Sequence, residues 1–229
     1  MNSLPLVIFD CDGVLVDSER LVQDIDMRMI GGLGWNITRQ EILEQHLGRS
    51  EDAVMANIAR RIGRPVPEDF PQCRRSAYEQ DFKDHLKEVS GVRQAVQELH
   101  GVGHDTCVAS SGSHATMRLT LGKTGLRTLF EGRIFSADEV AHGKPAPDLF
   151  LHAAEQMGYR PERCVVVEDS PSGVAAALSA GMAVVGYSAL TPEVAYTSVG
   201  SVGLTHLRLG LLLALVLLED VFDFFAGLF

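Results

Sequence analysis

The sequence predicts an α/β fold, in which a doubly wound, Rossmann-like parallel sheet is interrupted by an all-helical insert. Three short apolar segments show no alternation of polar and apolar residues, which is typical of parallel strands covered on both faces: Leu6–Phe9, Thr106–Ala109 and Cys164–Val167. Helical patterns follow these segments, and strands that alternate with helices indicate βαβ units. Residues 18–88, in contrast, contain no segment that predicts a strand.

The remaining elements complete this architecture. Further strands are predicted at Val184–Tyr187 and Gly132–Phe135. Helices of the sheet domain are predicted at Gly91–His100, Ala115–Thr124, Asp148–Met157 and Ser172–Ala180. Helices of the insert are predicted at Glu19–Ile30, Thr38–Leu47, Glu51–Ile62 and Cys73–Leu86. The spacing of Thr38 and Glu41 is that of a capping box, which marks a helix start. We therefore expect a core from residues 1–17 and 89–229, with a separate helical domain at 18–88.

Composition and charge exclude several classes of protein. The chain has 229 residues, of which 46% are hydrophobic and 22% charged, so it is neither disordered nor collagen-like. The net charge of −10 argues against a nucleic-acid partner or an anionic membrane surface. An acidic protein that binds phosphate needs local devices such as a helix N-terminus, a lysine or a metal ion.

Cysteine usage and the first residues predict a cytoplasmic protein. The four cysteines form no CxxC pair, and no histidine lies at zinc-finger spacing, so we expect reduced thiols. Met1–Pro5 has neither the basic nor the apolar region of a secretory signal.

The C-terminal region is unusually apolar. Leu209–Leu218 is an uninterrupted apolar stretch of ten residues, whereas a membrane-spanning helix needs about 20. We therefore expect no membrane span, and an atypical apolar helix over 204–229, while Val194–Gly203 predicts no clear element. This helix covers the sheet edge, pairs with another chain, or is an altered terminus that promotes association. The expected state is a monomer or a weak homodimer.

Two pairs of acidic residues end predicted strands. Asp10 and Asp12 follow the first strand and point the same way if the chain stays extended. Beside an oxygen-seeking cation they make a nucleophile and an acid–base pair. Glu168 and Asp169 end another strand and suit a hard cation. Each pair alone also fits an ordinary turn or helix cap, but ligands of α/β sheets bind at this edge.

Groups that suit an anion follow at the same predicted edge. Ser110, Ser111 and Gly112 form a strand-to-helix turn that offers N–H and O–H donors. Lys144 lies between Gly143 and Pro145, and it suits a phosphate or carboxylate as a point charge. Taken singly, a helix N-cap and a solvated loop lysine are the alternatives.

In this order, the segments resemble the four motifs of the haloacid dehalogenase-like hydrolases: Asp10-x-Asp12-Gly13, Val108-Ala109-Ser110-Ser111, Gly143-Lys144-Pro145 and Glu168-Asp169-Ser170. The resemblance covers about residues 6–187, and the helical insert resembles the cap of the β-phosphoglucomutase-like and phosphoglycolate phosphatase-like subgroup. It implies a Mg²⁺-dependent phosphatase that hydrolyses a small phosphorylated metabolite, such as a sugar, sugar-acid or polyol phosphate, through an aspartyl-phosphate.

The resemblance also implies residue roles. Asp10 is the nucleophile, and Asp12 is the general acid and base. The implied Mg²⁺ ligands are Asp10, Asp12 through its main-chain carbonyl, Asp169, and Glu168 directly or through water. The implied phosphoryl contacts are Ser110, Ser111, Gly112 and Lys144.

Three positions bear on the type of reaction and on the substrate. Gly48-Arg49-Ser50 resembles the substrate-facing loop of the cap, so Arg49 either contacts substrate or is a surface arginine beside acidic residues. Val22 and Glu51 stand where the phosphosugar mutases of this fold carry a histidine and an arginine, which favours hydrolysis over mutase activity. A non-catalytic binding protein is a further alternative, which the intact catalytic set disfavours.

Overall fold

A parallel sheet of six strands organises the part of the chain that the computed structural model describes, namely residues 4–46, 51–187 and 202–204. The strands are β1 (Leu6–Phe9), β2 (Thr106–Ser110), β3 (Ile134–Ser136), β4 (Cys164–Glu168), β5 (Ala183–Tyr187) and β6 (Val202–Leu204). Their order is β3-β2-β1-β4-β5-β6, and every neighbouring pair is parallel. The predicted doubly wound α/β fold is therefore confirmed. The strand order reverses at β1 and β4, where such sheets bind ligands.

Eight α-helices accompany the sheet in the described residues. They are α1 (Ser18–Gly32), α2 (Arg39–Gln45), α3 (Glu51–Ile62), α4 (Phe70–His85), α5 (Val92–Gly101), α6 (His114–Thr124), α7 (Asp148–Met157) and α8 (Pro171–Ser179). Short 3₁₀ turns lie at Arg127–Phe130, Ala137–Glu139 and Pro161–Arg163. The helix α4 begins three residues before its predicted start at Cys73, and it places Pro71 in its first turn, where a proline suits a helix.

The chain divides into two compact units, which differ from the predicted domains by one or two residues at their boundaries. One unit comprises Met1–Val16 and Lys87–Phe229 and is called the sheet unit here; Asp17–Leu86 form the helical unit. The helical unit has its own apolar core, made of Ile30, Trp35, Ile37, Ile42, Val54, Ile58 and Phe70. The capping box before α2 is confirmed, because Thr38 Oγ1 accepts from Glu41 N at 3.2 Å and the Glu41 carboxylate accepts from Thr38 N at 2.9 Å.

The sheet unit is held together by helices packed on the apolar strands. Alternate residues of β1, Leu6 and Ile8, face a core that also contains Leu149 and Phe150 of α7 and Val174 of α8. All five side chains are fully buried. Strands with apolar residues on both faces need such cover, which explains their continuous apolar sequences.

At the C-terminal end, the structure corrects one expectation and leaves another outside the described residues. Val202–Leu204 form β6, which pairs with β5, although no strand was predicted there. A three-residue strand that contains Gly203 has too little pattern to be recognised from sequence. The expected apolar helix over 204–229 lies outside the described residues except for Leu204, which is the last residue of β6. Among those residues, no helix is both long and apolar enough to cross a membrane.

A buried ion pair joins α1 to α4 within the helical unit. Arg74 donates to both oxygens of the Asp26 carboxylate, at 2.7 and 2.6 Å, and the hydroxyl of Tyr78 donates to the same group. The Asp26 side chain is only 2% exposed. Such bidentate geometry satisfies both oxygens of a carboxylate that is shielded from water.

Replacement of Arg74 by methionine should lower the free energy of unfolding by about 3 kcal/mol, because it leaves the Asp26 carboxylate buried beside an apolar side chain. The matched control is Arg28→Met, since Arg28 bonds Asp81 at 2.9 Å across the same two helices but is 62% exposed. That variant should lose less than about 1 kcal/mol. Urea denaturation followed by circular dichroism measures both; equal losses would contradict the argument.

Candidate active site

The ammonium group of Lys144 lies at the centre of a buried polar cluster at the carboxyl ends of the strands. Lys144 Nζ donates to Asp10 Oδ1 at 2.5 Å, to Glu168 Oε1 at 2.7 Å and to the carbonyl oxygen of Ala109 at 3.3 Å. Nζ also lies 4.8 Å from the centre of the Phe150 ring. The Lys144 side chain is 4% exposed, so its charge acts on Asp10 and Glu168 with little screening by water.

Asp10 is positioned by the pairing of β1 with β4. Its main-chain N–H donates to the carbonyl of Val167 at 2.9 Å, which carries the parallel pairing one residue past the end of β1. The chain then turns, because the N–H groups of Leu15 and Val16 both donate to the carbonyl of Cys11. The extended conformation therefore ends at Asp10. It does not continue to Asp12, as the prediction that both side chains point the same way had assumed.

The carboxylate of Asp12 lies towards the turn between β2 and α6. A Cβ atom built on Gly112 would be 3.9 Å from Asp12 Oδ2 and 3.4 Å from Ser110 Oγ. Ser110 and Gly112 are predicted phosphoryl contacts, and Asp12 is the predicted general acid. All three therefore lie within a few ångströms of one point.

Asp169 packs directly against the loop that follows β1. A Cβ atom on Gly13 would stand 1.8 Å from Asp169 Oδ2, and Gly13 has a φ of +78°. Both the close approach and the positive φ require glycine at this position. Asp169 is buried, so its carboxylate is held at the edge of the loop that carries Asp10 and Asp12.

Glu168 is held by donors of the protein on both of its carboxylate oxygens. Oε1 accepts from Lys144, while Oε2 accepts from Ser170 N at 2.6 Å and from Ser170 Oγ at 2.9 Å. Gly173, in the first turn of α8, gives the carboxylate room, since a Cβ atom there would lie 1.7 Å from Oε1. The Glu168 side chain is therefore fixed in one place, against Lys144.

The pKa values of Asp10 and Lys144 are both raised above their ordinary values, for different reasons. Burial raises the pKa of Asp10 to about 8; the charges of Glu168 and Asp12 act in the same sense, and Lys144 opposes them. Burial lowers the pKa of Lys144, but its ion pairs with Asp10 and Glu168 outweigh this effect and raise the pKa overall. More acidic groups than ammonium groups meet at this edge, and the burial and repulsion that raise the pKa of Asp10 follow from that arrangement.

The β2–α6 turn, Ser110–Ser113, presents main-chain and hydroxyl donors next to this cluster. Ser110 is buried at the end of β2, and its Oγ accepts from Gly112 N at 3.0 Å. Ser111 is exposed. Ser113 caps α6 by accepting from Thr116 N at 3.2 Å. A helix N-terminus preceded by small residues favours an anion at this point.

The structure brings most of the predicted site residues to one edge of the sheet unit: Asp10, Asp12, Ser110, Ser111, Gly112, Lys144, Glu168 and Asp169. Arg49 lies outside the described residues. Two contacting residues were not predicted: Phe150 lies under the Lys144 ammonium, and Ser136 Oγ donates to the Gly112 carbonyl at 2.8 Å. The spacing of Ser136 and Glu139, directly after a predicted strand, is that of a capping box and marks Ser136 as a cap residue, but it does not indicate the contact with Gly112.

The oxygen atoms of this edge could hold Mg²⁺ only together with ligands that the protein does not supply, such as waters and phosphate oxygens. Among the described residues, no three His, Cys, Asp or Glu side chains are grouped to hold a metal ion by themselves. Mg²⁺ is usually bound by one or two carboxylates together with waters and substrate phosphate oxygens. Asp10 and Asp169 supply carboxylates, while both oxygens of Glu168 already accept from Lys144 or Ser170. The excess of acidic groups over Lys144 favours a divalent cation here.

Comparison with known proteins gives consistent matches over most of the chain. Residues 7–187 match the family model described as haloacid dehalogenase-like hydrolase. The chain is 27% identical to the 6-phosphogluconate phosphatase of Escherichia coli (strain K12), covering 80% of this chain and 82% of that protein. It is 32% identical to a probable pseudouridine-5'-phosphatase of Drosophila melanogaster, covering 78% and 79%. A solved hydrolase structure from Deinococcus radiodurans R1, with bound phosphate and sodium, superposes with a TM-score of 0.84 at 28% identity, covering 96% and 97%.

Replacement of Gly173 by alanine should lower the free energy of unfolding by about 1–3 kcal/mol, because Glu168 must leave its partners to make room. The control is Gly122→Ala in α6, where an added Cβ meets nothing within 4 Å. Alanine is the better helix former, so this variant should be unchanged or more stable by up to about 1 kcal/mol. Opposite signs in urea denaturation would support the close packing of Glu168, and a stabilised Gly173→Ala would refute it.

Proposed function

This chain belongs to the haloacid dehalogenase-like hydrolases, and from that premise we propose that its sheet unit hydrolyses small phosphate monoesters in a Mg²⁺-dependent reaction that passes through an aspartyl-phosphate. The chain is a phosphoric monoester hydrolase, as the matching phosphatases indicate. The observation that carries the mechanism is the buried Asp10 carboxylate, which Lys144 holds by one oxygen at the carboxyl end of β1. A fixed carboxylate beside anion-binding donors is suited to attack phosphorus.

In the proposed first step, Asp10 is the nucleophile. Lys144 occupies Oδ1, so Oδ2 forms the bond to phosphorus while the bond from phosphorus to the ester oxygen breaks. The products are an aspartyl-phosphate and the alcohol, whose oxygen takes up a proton as the bond to phosphorus breaks. The ion pair keeps Asp10 in one orientation, and such positioning supplies much of the acceleration in phosphoryl transfer.

Asp12 is proposed as the general acid and base. It gives its proton to the departing ester oxygen, so that the alcohol leaves neutral. In the second step it takes a proton from water as the water oxygen bonds to phosphorus. The bond from phosphorus to Asp10 then breaks, which releases inorganic phosphate and restores the Asp10 carboxylate.

The anionic phosphoryl group is held by donors on two sides. Lys144 neutralises part of its charge, and Ser110 with the N–H groups of Ser111 and Gly112 donates to its oxygens. Without these groups the carboxylates at this edge would repel a phosphate dianion. Glu168 acts through Lys144, whose ammonium it holds at 2.7 Å.

The residues proposed to hold Mg²⁺ are Asp10 and Asp169 through their carboxylates and Asp12 through its main-chain carbonyl. When bound, the ion supplies positive charge to the phosphoryl oxygens and offsets the excess of carboxylates. Asp169 is suited to this role because it lies against Gly13, in the loop that carries both catalytic aspartates.

Phosphorylated carbohydrates and related small esters are the proposed substrate class. Two of the matching proteins are named for a sugar-acid phosphate and a nucleoside phosphate. We propose that the helical unit acts as a cap that selects the substrate, with Arg49 as a candidate contact. Hydrolysis is preferred to phosphosugar transfer because Val22 cannot donate or accept a proton and Glu51 bonds Arg75 at 3.3 Å.

Replacement of Asp10 by asparagine should reduce phosphate release at least about 10³-fold, because the amide is isosteric but is not a nucleophile. The measurement is release of inorganic phosphate from a panel of sugar, sugar-acid, polyol and nucleoside phosphates. EDTA should abolish the activity of the unmodified protein, and added Mg²⁺ should restore it.

The matched control is Asp105→Asn, directly before β2 at the opposite edge of the sheet, where the new amide oxygen still accepts from the hydroxyl of Tyr159. This variant should keep its activity within about twofold. Phosphate release that survives in Asp10→Asn would exclude the aspartyl-phosphate. An absence of hydrolysis that is accompanied by phosphate exchange between sugar positions would instead indicate a mutase.

A further inference from the structure

We propose that Ser136, the last residue of β3, is a positioning residue that holds the β2–α6 turn in its phosphate-binding conformation. This inference rests on the proposed function, which assigns that turn to the phosphoryl group. Ser136 is fully buried and pairs with Ser110 in the register of β2 and β3. The two serines therefore end neighbouring strands at the same edge of the sheet.

The donor and acceptor roles of the Ser136 hydroxyl can be assigned in only one way. Its oxygen lies 2.8 Å from the carbonyl oxygen of Gly112 and 3.1 Å from the main-chain nitrogen of Asp138. A carbonyl only accepts and a main-chain N–H only donates. Ser136 therefore donates its one proton to Gly112 and accepts from Asp138, and its hydroxyl has no rotational freedom left.

Gly112 is consequently held at both of its main-chain polar groups. Its carbonyl accepts from Ser136, and its N–H donates to Ser110 Oγ at 3.0 Å. The bond from Gly112 uses a lone pair of Ser110 and leaves the Ser110 proton for an anion. Glycine has more main-chain freedom than any other residue, so an unanchored Gly112 would let the donors of the turn point in many directions.

A second connection from the same segment reaches the start of α6. Glu139 Oε2 accepts from Ser136 N at 2.6 Å and lies 3.3 Å from Nε2 of His114, the first residue of α6. Ser136 and Glu139 together form a capping box around the 3₁₀ turn Ala137–Glu139. This segment therefore contacts the β2–α6 turn at Gly112 and again at the helix that follows it.

The consequence is preorganisation of the anion site. Donors that already point at the phosphoryl oxygens cost no reorganisation when phosphate binds. Removal of the Ser136 hydroxyl should weaken phosphate binding although Ser136 itself touches no substrate. A purely structural role predicts a different result, namely less folded protein with unchanged affinity.

The test is isothermal titration calorimetry of inorganic phosphate into Ser136→Ala in the presence of Mg²⁺. We expect the Kd for phosphate to rise about five- to tenfold, the factor that one hydrogen bond is worth, with KM for a phosphate ester rising in parallel. Loss of folded protein alone would lower the titrated stoichiometry and leave Kd unchanged. A second pair of variants separates the hydroxyl from the shape of the side chain. Threonine and valine have nearly the same shape, but only Ser136→Thr keeps a hydroxyl, so Kd should be higher for Ser136→Val.

The control is Thr106→Val, which removes another fully buried hydroxyl at the opposite end of β2, where Thr106 Oγ1 pairs with His100 at 2.7 Å. Its phosphate Kd should equal that of the unmodified protein.

An unchanged Kd in Ser136→Ala and equal values in the threonine and valine variants would overturn the inference and leave the proposed hydrolysis intact. Weaker binding in a protein that hydrolyses no ester would support the positioning role and refute the hydrolysis. Failure of the unmodified protein to bind phosphate would overturn the preorganised phosphate site, and the release of phosphate from esters would still decide the proposed hydrolysis.

Discussion

The ammonium group of Lys144, shared between Asp10 and Glu168, is the interaction on which the rest of the site depends. Two buried carboxylates close together would repel each other and would be costly to remove from water. Lys144 offsets both effects with bonds of 2.5 and 2.7 Å. The three residues meet because β1 and β4 are parallel neighbours at the reversal of strand order, so that their ends deliver one acid each to the same point. Glycines at positions 13 and 173 then let the acids of β4 pack closer than any side chain would allow.

Among the described residues, the buried ion pair of Arg74 with Asp26 and the buried pairing of Lys144 with two acids differ in a way that matches their settings. In the helical unit, Arg74 satisfies both oxygens of Asp26 through its planar fork, so nothing is left for a ligand. In the sheet unit, Lys144 is a point charge divided between two acids, and it engages one oxygen of Asp10. The first pair is suited to joining helices. The second fixes a carboxylate in place while keeping an oxygen for chemistry.

Support for the anion site comes from residues that do not themselves face it. Glu168 holds Lys144 and is held in turn by Ser170, while Ser136 holds Gly112 and forms a capping box with Glu139. The side chains at the reactive edge are thereby fixed by a layer of buried hydrogen bonds. A site of several like charges needs this layer, because repulsion would otherwise drive the carboxylates apart.

The sequence by itself determined the α/β class, the strands β1 to β5, and the edge at which the acids, the turn and the lysine gather. Those features are local: apolar periodicity defines a strand, and parallel strands bring the residues that follow them to one side. The strand β6 was missed because three residues carry no period. Only the tertiary structure decided that Glu168 holds Lys144 and that Ser136 anchors Gly112. Lys144 lies 134 residues from Asp10 and 24 from Glu168, and Ser136 lies 24 from Gly112. Contacts over such separations depend on how strands are ordered in the sheet, which no local pattern of residues specifies.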